Sequence, residues 1–183
     1  ASLDPEMADA YYSRGMAKSE LFDYEGAIAD FTKAISINPD NASYFLARGY
    51  EKYSREYYAE ALVDFEKAAA IEPGNGTIYF YSGLVKNDMG NPRAAAEDYS
   101  KAILLDSMKY QYYFNRGLVK YTLGDFKGSL EDFNRTIELN PDDDRVFYYR
   151  GTVRNELGDY TESMADYDKA IELNKGNADY YLI

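Results

Sequence analysis

The chain has no cysteine and no histidine. Without cysteine there is no disulfide and no thiolate, and the redox compartment stays open. Without histidine, imidazole-dependent nucleophile activation and most zinc sites are lost as well. No catalytic centre, cofactor or metal site is therefore expected. Basic residues are also scarce: 20 lysines and arginines stand against 32 acids, for a net charge of -12. Nucleic-acid binding without sequence preference needs cations that displace phosphate counterions, so this balance argues against it. It argues equally against docking on an anionic membrane. No apolar run approaches the roughly 20 residues of a membrane span, and no charged-then-apolar leader opens the sequence.

What the sequence does have is periodicity. Arg14-Gly15, Arg48-Gly49, Ser82-Gly83, Arg116-Gly117 and Arg150-Gly151 follow one another at 34-residue intervals. A period of that length marks a repeat architecture. Five units without insertion or deletion result: 8–41, 42–75, 76–109, 110–143 and 144–177. Small residues recur at the glycines, at Ala27, Ala61, Ala95, Ser129, Ser163, and at Ala34, Ala68, Ala102, Thr136, Ala170. Aromatics recur at Tyr11, Phe45, Tyr79, Tyr113, Phe147 and at Phe31, Phe65, Tyr99, Phe133, Tyr167.

Each unit reads as two helices. In the fourth, Tyr113, Gly117 and Tyr121 share one helical face, and Leu130, Phe133 and Ile137 trace a second stripe. Leu123-Gly124-Asp125 breaks the chain between them, and Asn140-Pro141-Asp142 ends the second helix. A mid-helix glycine costs about 1 kcal/mol against alanine. Close packing at the helix crossing is the compensation expected here. One short pair cannot bury its own face, so neighbours stack on a shared core.

With these columns in place, the sequence resembles the tetratricopeptide repeat family over nearly its whole length. The resemblance implies an all-α, right-handed superhelical solenoid of antiparallel helix pairs. Departures are Ser107 and Lys175 at proline positions, and Ser129, Thr136 and Ser163 at alanine positions. Pro92 stands in an aromatic column with Tyr24, Tyr58, Phe126 and Tyr160, so the third inter-helix turn is expected to differ from the rest. Residues 1–7 read as the tail of a preceding repeat, since Leu3 and Pro5 match Ile37 and Pro39 in phase. Residues 178–183 read as the start of a further helix, Tyr181 aligning with Phe147. Both ends fit a fragment of a longer array.

The charges are periodic too. Arg14, Arg48, Arg116 and Arg150 each precede a basic residue by four positions: Lys18, Lys52, Lys120 and Arg154. Like charges at that spacing disfavour a helix. The second helices carry Asp30, Asp64, Asp98, Asp132 and Asp166. A ladder of ion pairs across each helix crossing is expected, as a structural device, because a catalytic group need not recur in every unit. A second basic column, Lys33, Lys67, Lys101, Arg135 and Lys169, reads as a solvated face near the helix C-termini. Asp142-Asp143-Asp144 lacks the turn glycine of a calcium loop and reads as a capping turn.

The resemblance places the first helices along a concave groove. Residues carried onto that groove are Tyr12, Met16, Leu46, Tyr50, Tyr53, Phe80, Leu84, Asn87, Phe114, Leu118, Tyr121, Tyr148 and Asn155. Its rim carries Asp9, Glu20, Asp88 and Glu156, opposed mainly by Arg145. Tyr12 and Met16 open a set that does not support the lysine–asparagine clamp some members use for carboxylate tails. A protein scaffold follows, taking an extended peptide or a helix with apolar anchors and basic residues. A substrate-recruiting arm of a larger enzyme and an end-to-end self-assembling scaffold are the alternatives. The groove aromatics could equally serve packing between repeats.

Overall fold

The computed structural model describes residues 5–181. The chain divides into two compact units, Ala1–Met89 and Gly90–Ile183. The first holds five helices: α1 (Pro5–Glu20), α2 (Tyr24–Ile37), α3 (Ala42–Ser54), α4 (Tyr58–Ile71) and α5 (Gly76–Asp88). The second holds α6 (Pro92–Leu105), α7 (Tyr110–Thr122), α8 (Phe126–Leu139), α9 (Asp144–Leu157), α10 (Tyr160–Leu173) and a 3₁₀ turn, Ala178–Tyr181. No strand occurs among the described residues. No described helix is long and apolar enough to cross a membrane.

In the first unit α1 pairs with α2 and α3 with α4, while α2 packs on α3 and α4 on α5. In the second, α7 pairs with α8 and α9 with α10, α6 packs on α7 and α8 on α9. Within each unit the odd-numbered helices also touch one another: α1 with α3, α3 with α5, and α7 with α9. Each unit is thus a two-layer stack that buries its apolar face repeat against repeat.

The glycines are where the helices cross. A Cβ on Gly15 would lie 2.6 Å from the Phe31 ring, and one on Gly117 would lie 2.8 Å from Phe133. Gly49 meets Phe65 and Gly151 meets Tyr167 in the same way. Phe31, Phe65 and Phe133 are fully buried and cannot swing aside. The serines in the alanine column are also accounted for. Ser129 Oγ donates to the carbonyl of Gly117 at 2.7 Å, and Ser163 Oγ to that of Gly151 at 2.8 Å. Thr136 Oγ1 donates to the Asp132 carbonyl one turn back. Each hydroxyl is buried but partnered.

Turns between paired helices repeat as well. Phe22, Glu56, Gly90, Gly124 and Gly158 all take positive φ, between 62° and 85°. The next residue's amide closes onto a carbonyl five residues back: Asp23 to Lys18, Tyr57 to Lys52, Asp125 to Lys120 and Asp159 to Arg154, each at 2.9 Å. The third turn, expected to differ, shares the left-handed residue and the helix start of the others. Gly90 takes φ +79° beside +78° at Gly124, and α6 begins at Pro92 as α8 begins at Phe126. Proline fits the first helical position because its φ is already helical and its missing amide is unneeded there.

At the N-terminal end, Leu3 lies outside the described residues. Pro5 opens α1 instead of marking an inter-repeat turn, for the same reason of helix-compatible φ. At the other end Ala178–Tyr181 forms the 3₁₀ turn, and residues 182–183 lie outside the described residues. Tyr180 is buried there, donating to Asp144 Oδ2 at 2.6 Å. Asp143 caps α9 through the Arg145 amide, so the triple aspartate is a capping turn. Among the described residues no acidic cluster could hold a metal ion.

Candidate partner-binding face

The ion-pair ladder is formed in the first, second, fourth and fifth repeats. Arg14 binds Asp30 through both carboxylate oxygens at 2.7 and 2.6 Å, with Lys18 at 2.9 Å. Arg48, Arg116 and Arg150 grip Asp64, Asp132 and Asp166 in the same fork. Lys52, Lys120 and Arg154 complete those sites. The arginines do more than the sequence suggested. Arg48 reaches back to Thr32, Arg116 to Ser100 and Arg150 to Asn134, each on the preceding second helix. Their guanidinium planes also lie over Phe45, Tyr113 and Phe147 at 5.5 to 5.8 Å. Fork, reach and ring stacking together need arginine and would be lost with lysine. The ladder is therefore a structural seam, and its carboxylates are occupied. Arg14 in particular holds the Asp30 carboxyl down to about 2, outweighing the burial that would raise it.

The face made by the odd-numbered helices is different. In the first unit, Tyr12 and Met16 of α1 and Leu46 and Tyr50 of α3 surround one cavity of about 340 Å³. Met16 and Tyr50 are 41% and 43% exposed. Ser19, Glu20, Ser43, Ala47 and Glu51 complete the wall from those two helices, and α5 contributes Thr77 and Tyr81. Tyr50 meets the edge of Tyr81 at 5.3 Å. Phe80, Leu84 and Asn87 share α5 but do not line this cavity. Phe80 leans on Tyr81 at 5.5 Å, Leu84 is half-buried and Asn87 is exposed. Tyr53 packs on Tyr58 and donates to Asp88 at 2.8 Å. Burial first, and Asp88 second, push the Tyr53 hydroxyl pKa up.

In the second unit the expected groove aromatics mostly turn inward. Phe114 is corrected outright: it is only 7% exposed, packed on Phe133 and Tyr149 with Arg145 over its ring. Tyr148 is half-buried among Tyr149, Tyr167 and Tyr180. Leu118 and Tyr121 pack against the same core. Asn155 opens onto a cavity of about 640 Å³, shared with Tyr160 and Met164. These positions turn inward because an aromatic at the first-helix interface fills the gap to the next repeat. The rim also differs from expectation. Tyr44 donates to Asp9, and burial followed by Asp9 lifts that phenol to about 12. Arg145 does not oppose the rim acids; it folds back on Asp143 at 2.9 and 2.7 Å.

Glu51 and Tyr81 were missed by sequence reasoning. Glu51 had a legible signal: its column runs Ala17, Glu51, Val85, Val119, Val153, and the three valines are buried. Tyr81 had none, since its position falls between the columns taken as groove and core.

The tetratricopeptide repeat profile matches residues 8–41, and a longer form of the same repeat matches 82–131 and 114–178. The chain belongs to the tetratricopeptide repeat family. Solved tetratricopeptide-like folds superpose on nearly all of it. PilF of Pseudomonas aeruginosa is 21% identical with a TM-score of 0.85, covering 97% of this chain and 81% of its own. MamA of Desulfovibrio magneticus, from residue 41 to its end, is 15% identical with a TM-score of 0.86, covering 97% and 99%. YrrB, a tetratricopeptide protein with an unusual peptide-binding site, is 23% identical with a TM-score of 0.81, covering 94% and 89%. At such identities the likeness is one of fold. No curated protein matches the chain significantly by sequence.

Proposed function

We propose that this tetratricopeptide chain is a protein-interaction scaffold that takes an extended partner segment along the face of α1, α3 and α5. One observation carries the proposal: the cavity around Tyr12, Met16, Leu46 and Tyr50, apolar and aromatic in its middle and acidic at Glu20 and Glu51. Preformed helices hold these side chains, so little ordering cost falls on the receptor. YrrB supplies a precedent for peptide binding on this fold. A partner with an apolar anchor beside a basic residue fits the lining.

The test is capture of partners by wild-type protein and by the double variant Met16→Ala/Tyr50→Ala. Both residues are exposed, so the variant should melt within about 2 °C of wild type. Partner capture should fall at least tenfold. Undiminished capture would move the binding face elsewhere.

A further inference from the structure

Glu51 is the anomaly of this face. It is 3% exposed, at a position where the third, fourth and fifth repeats bury Val85, Val119 and Val153. A carboxylate at a valine position serves no packing need and is unfavourable unless paired. One oxygen accepts a hydrogen bond from Ser19 Oγ. The other, Oε2, is buried and has no hydrogen-bond partner among the described residues. The adjacent Lys52 turns to Asp64 and Glu60 instead.

We propose that Glu51 is the anion of a subsite for a lysine side chain of the partner segment; this rests on the proposed binding face and specifies what it recognises. Glu51 belongs to the wall of the 340 Å³ cavity, whose lining holds a second acid, Glu20, and no basic residue. Tyr12, Tyr50 and Tyr81 stand around it. A lysine offers an apolar stem for Met16 and Leu46 and an ammonium for the tyrosine rings and the carboxylate. Of the two Glu51 oxygens only Oε2 is without a hydrogen-bond partner among the described residues, which suits a compact point charge better than the two-pronged guanidinium that the ladder aspartates grip. The terminal torsion of a glutamate is soft, so a small turn presents Oε2 to the cavity.

The experiment uses nine-residue peptides, acetylated and amidated so that no terminal charge competes, with leucines flanking a central Lys, Arg or Gln. Binding is measured by calorimetry to wild type, Glu51→Gln and Glu51→Val. The lysine peptide should bind wild type at least tenfold more tightly than the glutamine peptide. Both variants should erase that preference, and Glu51→Val should melt higher than wild type because it removes an unpaired buried acid. A lysine preference that survives Glu51→Gln overturns the subsite, as does absence of binding by every peptide. Tighter arginine than lysine binding overturns the choice of ammonium. Partner capture that falls in Met16→Ala/Tyr50→Ala but persists in Glu51→Gln would leave the binding face standing and remove the subsite alone.

Discussion

A single atom decides several positions in this chain. At Gly117 the missing Cβ lets the Phe133 ring lie against the backbone of α7, and nothing larger than hydrogen fits. At the turns a different constraint rules. Glu56 takes φ +62° where the third, fourth and fifth repeats have glycine. A side chain in the left-handed region costs about 1 kcal/mol or more, and glycine is free of that penalty. Glu56 is exposed and has no packing to lose. Glu56→Gly should therefore stabilise by about 0.5–1 kcal/mol, net of the backbone entropy glycine loses on folding. Thermal unfolding should show a rise of about 2 °C; a fall would mean that the turn tolerates the side chain without strain. The alignment of Phe22 and Glu56 with the three glycines was visible in the sequence. Their left-handed backbone was not, because neither residue type advertises it.

Between elements, the arginine–aspartate fork is the repeated connection. Asp132 is almost wholly buried with Arg116 and Lys120 on its two oxygens. Replacing Asp132 with alanine leaves two cations facing each other across the crossing of α7 and α8. Breaking a buried pair from one side costs about 3 kcal/mol or more. Urea denaturation should show that loss with an unchanged slope, and a loss below about 0.5 kcal/mol would mean the fork is ornamental. Acid should reveal the same connection in the first repeat. The folded-state pKa of Asp30 is depressed to about 2 from an ordinary 3.8. Its contribution is thus fully present above pH 4 and is lost as the pH falls through about 2. The stability gap between wild type and Asp30→Asn should hold from pH 7 to 5 and close between pH 4 and 2. The pairing partners were legible in the sequence from charge spacing alone. The reach of Arg48, Arg116 and Arg150 to the preceding repeat was not, since it depends on how one pair stacks upon the next.

For the whole molecule, an excess of twelve negative charges opposes compaction. The Debye length shrinks from about 30 Å at 0.01 M salt to about 8 Å at 0.15 M. Long-range repulsion is screened over that range, while the partly buried forks are screened far less. Thermal stability should therefore rise between 10 and 150 mM sodium chloride. A fall would show that exposed pairs such as Arg135–Glu138 and Lys169–Glu172 outweigh the net charge.

Sequence alone determined the class, the period and the crossing columns, because a 34-residue repeat forces the same side chains into the same contacts in every unit. It also set the aspartate ladder, whose partners lie sixteen and twelve residues away within one helix pair. Only tertiary structure decided which first-helix residues remain available to a partner. Phe114 and Met16 occupy neighbouring columns that the sequence assigned to a groove, yet one is spent on packing and the other is open. That difference arises from how much of each side chain the next repeat covers, a quantity fixed by three-dimensional stacking and by no local pattern.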